Sequence, residues 1–162
     1  MFYREQSNQY ISEGTSFSID GTSYPSNWLN MTSPEDKAAL GLVEVTDANS
    51  PEDGRFYWVS DTLVGAVRTY LNTPKDLDGL KATWAAQIRA TAYSLLVTTD
   101  YMDSRKANDP KYVPSADWIT WRASIRTAAS EAVVAINAAA DIAALQTAVQ
   151  VVWPNSPDYK SV

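Results

Sequence analysis

From Asp76 to Arg105 the chain reads DLDGLKATWAAQIRATAYSLLVTTDYMDSR, and apolar residues recur at steps of three or four: Leu77, Leu80, Trp84, Ile88, Ala92 and Leu95. That is the spacing of one face of an α-helix. The pattern predicts a long helix, interrupted near its end by the polar run Thr98-Thr99-Asp100-Tyr101. A second stripe, Trp118, Trp121, Ile125, Ala129, Ala132, Ile136 and Ala140, predicts a helix from Ser115 to Ala140, with Ser115 as N-cap. The apolar steps continue through Ile142, Leu145, Val149 and Val152, after a turn or kink at Asp141. Between the two stripes, Lys106 to Pro114 contains Asp109-Pro110 and reads as a loop. Thr73-Pro74 looks like a helix start, with Thr73 capping and Pro74 at the tolerant first position. Gly79 costs about 1 kcal/mol against alanine inside a helix, so this end is expected to fray or to lie close to another backbone. These lengths imply two or three helices in an antiparallel hairpin or short bundle.

Before Thr73 the period changes from helical to alternating. Phe2 to Glu5 and Gln9 to Ile11 flank a Ser7-Asn8 turn and predict a hairpin at the terminus. Phe17 and Ile19 alternate with serines, and Asp20-Gly21 supplies the two positive φ angles of a type I′ turn, so Thr15 to Tyr24 predicts a second hairpin. Pro25 is expected to keep Tyr24 to Leu29 extended. Ser33-Pro34-Glu35-Asp36 opens a short helix, with Ser33 as N-cap, and Gly41 stops it. Leu42 to Val45 reads as a strand. Arg55 to Val59 and Val67 to Leu71 read as strands that pair. The predicted fold class is therefore α+β: a small β-rich unit of hairpins plus one short helix over residues 1–72. It is followed by a helical unit over 73–162 with a short proline-containing tail.

Composition narrows the function classes. The 162 residues contain neither His nor Cys, which removes Ser-His-Asp triads, cysteine nucleophiles, disulfides and thiolate–histidine zinc sites. The remaining acid pairs, Glu52/Asp53, Asp76/Asp78 and Asp100/Asp103, sit at turns and helix ends, where carboxylates are favoured anyway. No phosphate-binding glycine loop or nucleophile elbow is present. The expectation is a protein that is not an enzyme and needs no cofactor or metal. A net charge of −6 without a Lys/Arg cluster argues against nucleic acid and anionic membrane as partners. The polar start MFYREQSNQY does not read as a signal peptide, and no apolar run reaches the ~20 residues of a membrane-spanning helix. A soluble protein is expected.

The six Trp and nine Tyr against three Phe favour small cores and wet interfaces, since both residue types join an apolar face to a polar edge. Tyr24, Trp28, Trp58 and Trp153 are the candidate partner-binding residues. For Tyr24 and Trp28 the competing assignment is a plug between hairpin and short helix, and for Trp153 a cap on the helical bundle. The alanine-rich run Ala128 to Ala144 permits close helix approach and fits either a shallow core or a homo-oligomer. Asp100, with Arg122 and Arg126 one turn apart on the neighbouring helix, suggests a carboxylate–guanidinium clamp that also involves Tyr101 and Trp121. Its expected role is to lock the helical hairpin rather than to hold a ligand.

Two patches carry a resemblance. Phe17, Ile19, Asp20, Gly21, Tyr24, Pro25, Asn27, Trp28 and Leu29, followed by Ala39, Leu40, Gly41, Leu42, Glu44 and Val45, resemble the N-terminal part of small tail-associated proteins of tailed bacteriophages. Leu95-Leu96, Thr99-Asp100-Tyr101, Arg105, Pro114, Trp121-Arg122 and Arg126 are similar to the C-terminal signature of phage tail-fibre assembly proteins. Tyr101 stands where that signature has Trp, Trp121 where it has Tyr, and Ile125 where it has Leu. The resemblance implies a chaperone that binds a tail fibre or another tail or baseplate protein and assists its folding. Such a protein would be found in the host cytoplasm during assembly and on the virion tail. Two other functions fit the same residues: a permanent structural component of the tail or baseplate, and a host-surface binding module.

Overall fold

The computed structural model describes residues 1–157. Strands occupy the N-terminal half and helices the C-terminal half, so the fold is α+β. The chain divides into two compact units, the first spanning Met1–Thr73 and the second beginning at Pro74.

The first unit opens with β1 (Phe2–Arg4) and β2 (Gln9–Ile11), joined through a 3-10 turn at Glu5–Ser7 and a left-handed Asn8 (φ 48°). The predicted second hairpin is β3 (Phe17–Ile19) and β4 (Thr22–Tyr24), turned by Asp20 (φ 51°) and Gly21 (φ 83°). Both central residues have the positive φ that a type I′ turn requires. The expectation for Tyr24 to Leu29 fails. The Trp28 amide donates to the Pro25 carbonyl at 3.0 Å, and the chain turns straight into α1 (Trp28–Met31). Proline restricts its own φ and the residue before it, so it places no bar on a turn that follows.

The capping expectation for the short helix holds. In α2 (Pro34–Ala39) the Ser33 hydroxyl accepts from the Asp36 amide at 3.1 Å, and Gly41 (φ 71°) follows the last turn. The chain then enters β5 (Leu42–Glu44), which pairs antiparallel with β1 on the side opposite β2. Phe2, Ile11, Phe17, Ile19, Leu29 and Leu42 form the core between these elements, with Tyr24, Trp28 and Leu40 packed against it.

A second sheet follows, with β6 (Thr46–Asp47), β7 (Tyr57–Val64) and β8 (Val67–Pro74) in the order β6-β8-β7. Gly65 (φ 57°) sits at the first central position of the two-residue connection between β7 and β8, where such hairpin turns favour glycine. β6 pairs parallel with the start of β8, Thr46 against Val67. Beyond β6, asparagine side chains replace the backbone ladder. Asn49 donates to the Tyr70 carbonyl at 2.9 Å and accepts from its amide at 2.8 Å. Asn72 likewise donates to Ser50 O at 3.1 Å and accepts from the Glu52 amide at 3.0 Å. β8 is therefore covered on one side by this loop and on the other by β7, and β7 is the edge strand.

The second unit contains α3 (Leu77–Val97), α4 (Tyr101–Asn108), α5 (Ala116–Ala138) and α6 (Ile142–Ala148). Thr73-Pro74 is not the start of α3. The residue before a proline favours extended backbone, and β8 continues through both residues. Asp76 caps the helix instead, its Oδ2 accepting from the Gly79 amide at 2.6 Å. A Cβ on Gly79 would lie 2.8 Å from that same oxygen, so the close neighbour of Gly79 is the capping carboxylate, not another backbone.

The predicted break in the first long helix is real, and its cause is local. The Thr98 and Thr99 hydroxyls donate to the Leu95 and Leu96 carbonyls at 3.1 and 2.8 Å. Side chains thus take over the acceptors at the end of α3, and a fresh helix starts at Tyr101. α3 packs on α5. The deepest positions of α3 are Ala85, Ile88 and Ala92, rather than the larger Leu77, Leu80 and Trp84. α5 contributes Trp121, Ile125, Ala132 and Ile136. Helical spacing pointed to Ala140, but α5 ends at Ala138 and the buried residue is Ala139. Asp141 caps α6, accepting from the Ala144 amide at 2.8 Å, and Ile142 and Leu145 complete the core.

Candidate functional site

The predicted clamp exists, with a different membership. Arg122 is a buried charge near the start of α5, and one guanidinium nitrogen lies 2.9 Å from Asp100 Oδ1 and 3.5 Å from Asp103 Oδ2. The other donates to the Leu96 carbonyl at 3.0 Å and to the Thr99 hydroxyl. Arg122 therefore adds a charged donor to a carbonyl at the end of α3 that the Thr99 amide and hydroxyl also reach, where positive charge complements the helix dipole. At the same time it bridges to two carboxylates three residues apart, hence on one face of α4. The arrangement engages both terminal nitrogens of Arg122 and makes a lock, not a reactive group.

Three of the residues assigned to the clamp act elsewhere. Tyr101 is 55% exposed and makes no ring or hydrogen-bond contact among the described residues. Arg126 has no ion-pair or hydrogen-bond partner among the described residues, and lines a cleft between α4 and α5. Trp121 cannot share the orientation of Arg122, because consecutive helical residues point about 100° apart. It lies in the core with Ala92 and Ile125, edge-on to Trp118 at 5.3 Å, and its indole N–H donates to the Pro154 carbonyl at 2.9 Å. That bond ties the tail to α5, and Trp153 packs against the same cluster.

Tyr24 and Trp28 are also chiefly structural. Tyr24 stacks on Phe17 at 5.0 Å, and Trp28 meets Tyr24 and Phe17 edge-on at 4.9 and 5.8 Å. The triad roofs the core of the first unit, and both residues are only half-buried, so a rim of each remains accessible. Trp58 is different. It is 67% exposed and stands on β7.

The surroundings of Trp58 form the most distinctive surface of the first unit. Side chains alternate along a strand, and the two-residue connection sets Val64 and Val67 on the same face of the β7–β8 ribbon. That face carries Trp58, Ser60, Thr62 and Val64 from β7, with Val67, Thr69, Leu71 and Thr73 from β8, and all eight are exposed. None is charged. Val64 is 78% and Leu71 63% exposed, values unusual for large apolar side chains with a free choice of face.

The opposite face carries the charge and is the better covered one. Arg68 Nε lies 3.4 Å from Asp61 and 3.9 Å from Asp47, and its terminal nitrogen donates to the Tyr70 hydroxyl at 3.2 Å. That bond to Tyr70, aided by the nearby carboxylates and opposed by burial, holds the Arg68 pKa above its ordinary value. The charges of the ribbon thus lie on the face that also half-buries Tyr57, Leu63 and Tyr70, and the outward face is uncharged, a mixture of Ser/Thr with Trp58, Val64, Val67 and Leu71. Sequence reasoning singled out Trp58 but missed this face, although the alternation of Trp58, Val64, Val67 and Leu71 was visible once strand lengths were known.

Arg4 is the other residue that sequence reasoning missed. It follows Phe2 on the inner face of β1, and its buried guanidinium binds Asp20 through both terminal nitrogens, at 2.7 and 3.4 Å. Its Nε donates to the Leu40 carbonyl at 3.2 Å. One side chain so joins the first hairpin, the turn of the second and the end of α2.

No helix among the described residues is long and apolar enough to cross a membrane, and no cluster of acidic side chains among them is arranged to hold a metal ion. Comparison of the chain with protein-family models, with curated proteins and with solved structures finds no match.

Proposed function

We propose that this chain is a tail-fibre-assembly-like protein of a tailed bacteriophage, which binds a fibre or another tail component and assists its folding. The observation that carries the proposal is the outward, uncharged face of the β7–β8 ribbon, on which Val64 is 78% and Leu71 63% exposed. Exposed apolar surface of this kind is costly to keep in water unless a partner covers it. Tryptophan is also among the residues that most often anchor protein–protein contacts. β7 adds the edge of a sheet, and an extended segment of a folding partner can pair with such an edge. Together these features suit transient masking of fibre segments that would otherwise aggregate while the fibre is incomplete.

The residues that carry the family resemblance are consistent with the proposal. The first patch builds the hairpin, its aromatic roof and the capped helix, and the second patch builds the Arg122 lock. Both contribute to scaffold, and the ribbon is the surface this reading assigns to the partner. The role is one of binding, in the host cytoplasm during assembly and on the tail where the complex persists.

The test is co-expression of the fibre encoded beside this chain, with and without it. The proposal expects soluble, assembled fibre only when the chain is present. Fibre that is equally soluble alone, with the chain present in stoichiometric amount in purified particles, would instead identify a permanent tail component.

A further inference from the structure

We propose that the cleft between α4 and α5 is a binding site for the C-terminal carboxylate of a polypeptide whose last residue is apolar. This inference concerns the second unit and does not depend on the fibre-assembly function. The cleft has a volume of about 240 Å³, and Met102, Pro114 and Ile119 give it an apolar lining. Met102 is buried, whereas Ile119 is 54% exposed although it lies beside the covered stripe of α5.

Charge sets the class of ligand. Five ionised groups meet at the cleft or directly behind it. Arg122 lines it but is already committed to Asp100 and Asp103, and Asp103, also in the lining, is 3.5 Å from that guanidinium. Those three groups sum to one negative charge, held in a closed network. The remaining two, Lys106 and Arg126, line the cleft with no ion-pair or hydrogen-bond partner among the described residues. In a chain of net charge −6, two uncommitted cations beside an apolar lining are complementary to an anion on an apolar stem. A guanidinium matches a carboxylate in particular, because its fork presents paired donors to the two oxygens.

Size selects the source of that carboxylate. Pockets for drug-sized ligands run from about 300 to 1,000 Å³, so this cleft accepts roughly one residue. A chain terminus places its carboxylate and its last side chain in one such volume. An internal Asp or Glu must instead lead backbone in and out on both sides. Lys106 and Arg126 would hold the carboxylate while Met102, Pro114 and Ile119 receive the terminal side chain. Neither cation takes part in the lock, so the site can be altered without opening the helical hairpin.

Three probes test the inference on the full chain by amide chemical-shift titration: acetyl-Gly-Leu with a free carboxylate, the same peptide as its C-terminal amide, and acetyl-Glu-Leu-amide. The free acid is expected to shift amides between Met102 and Arg126, and the other two are expected to bind at least tenfold more weakly. Arg126→Ala should weaken the free acid by about tenfold, the scale of one charge-assisted hydrogen-bonded contact, and Lys106→Ala by less. Because Lys106 and Arg126 are exposed and have no ion-pair partner among the described residues, both variants should keep the unfolding midpoint of the parent. Equal binding of the amide, or unchanged affinity in both variants, would overturn the site. Equal binding of acetyl-Glu-Leu-amide would overturn the assignment to a chain terminus.

Discussion

The first unit contains two hairpins with glycine turns and aromatic side chains, and they differ in what lies above them. On β3–β4 the outward reach of Tyr24 is taken up by Phe17 and Trp28, and Leu29 closes the core beneath. On β7–β8 the Trp58 face looks outward, while the ions of Arg68, Asp61 and Asp47 occupy the better covered side. An aromatic residue on a strand is therefore not by itself a sign of core or of interface. What decides its role is whether the chain supplies a second layer, and here Leu29 of α1 closes the core beneath one hairpin while Val64 and Leu71 of the other remain 78% and 63% exposed.

Substitutions can break or sharpen this contrast. Trp28→Ala removes the roof of the covered hairpin and should cost about 3 kcal/mol, at the lower end for truncating a buried Trp because this one is only half-buried. Urea unfolding would measure it, and a loss below about 1 kcal/mol, within the range of ordinary substitutions, would remove Trp28 from the core. Arg4→Ala should cost about 2 kcal/mol, since it deletes hydrogen bonds to a charged partner and leaves the Leu40 carbonyl without its donor.

The second unit offers the same contrast between engaged and open residues. Asp100→Ala should cost about 1 kcal/mol, because Asp103 and the Leu96 carbonyl continue to hold Arg122, whereas Tyr101→Ala should change stability by less than about 0.5 kcal/mol. A thermal scan of the pair is sufficient, and a larger loss in Tyr101→Ala would restore that residue to the lock. The smallest stability effect is expected on the open ribbon. Val64→Thr with Leu71→Thr keeps strand-compatible side chains and removes only exposed apolar surface, so the double variant should unfold within about 0.5 kcal/mol of the parent.

Local signals were legible in the sequence wherever a residue's neighbours in the chain determine its conformation. Asp20-Gly21, Ser33-Pro34, Gly41 and Asp141 all specify backbone geometry within a few residues, and each does what its type predicts. Thr73-Pro74 failed because a strong strand ran through it and a better cap, Asp76, lay three residues on. The Asp100–Arg122 contact was legible because polar residues mark the break at Asp100 and the next apolar stripe sets Arg122 near the start of a neighbouring helix. Arg126, expected beside Arg122 from helical spacing and from the resemblance, has no ion-pair partner among the described residues. Being one turn from Arg122 places it on the same face but not at the same depth along the helix, so it reaches the cleft instead.

The Arg4–Asp20 pair was not legible, since Asp20 already had a sufficient local reason to be in its turn and nothing near Arg4 marks it as buried. The ribbon face was illegible for a related reason. Alternation identifies two faces but cannot say which is covered, and here both carry large apolar or aromatic side chains, Tyr57, Leu63 and Tyr70 on one and Trp58, Val64, Val67 and Leu71 on the other.

The central claim is that the exposed β7–β8 face is the partner surface. It is tested most directly by capturing co-expressed fibre with the parent chain and with the Val64→Thr/Leu71→Thr variant at matched folded concentration. The expected result is an unchanged unfolding midpoint together with loss of most fibre capture. A variant that folds like the parent and captures fibre equally well would contradict it.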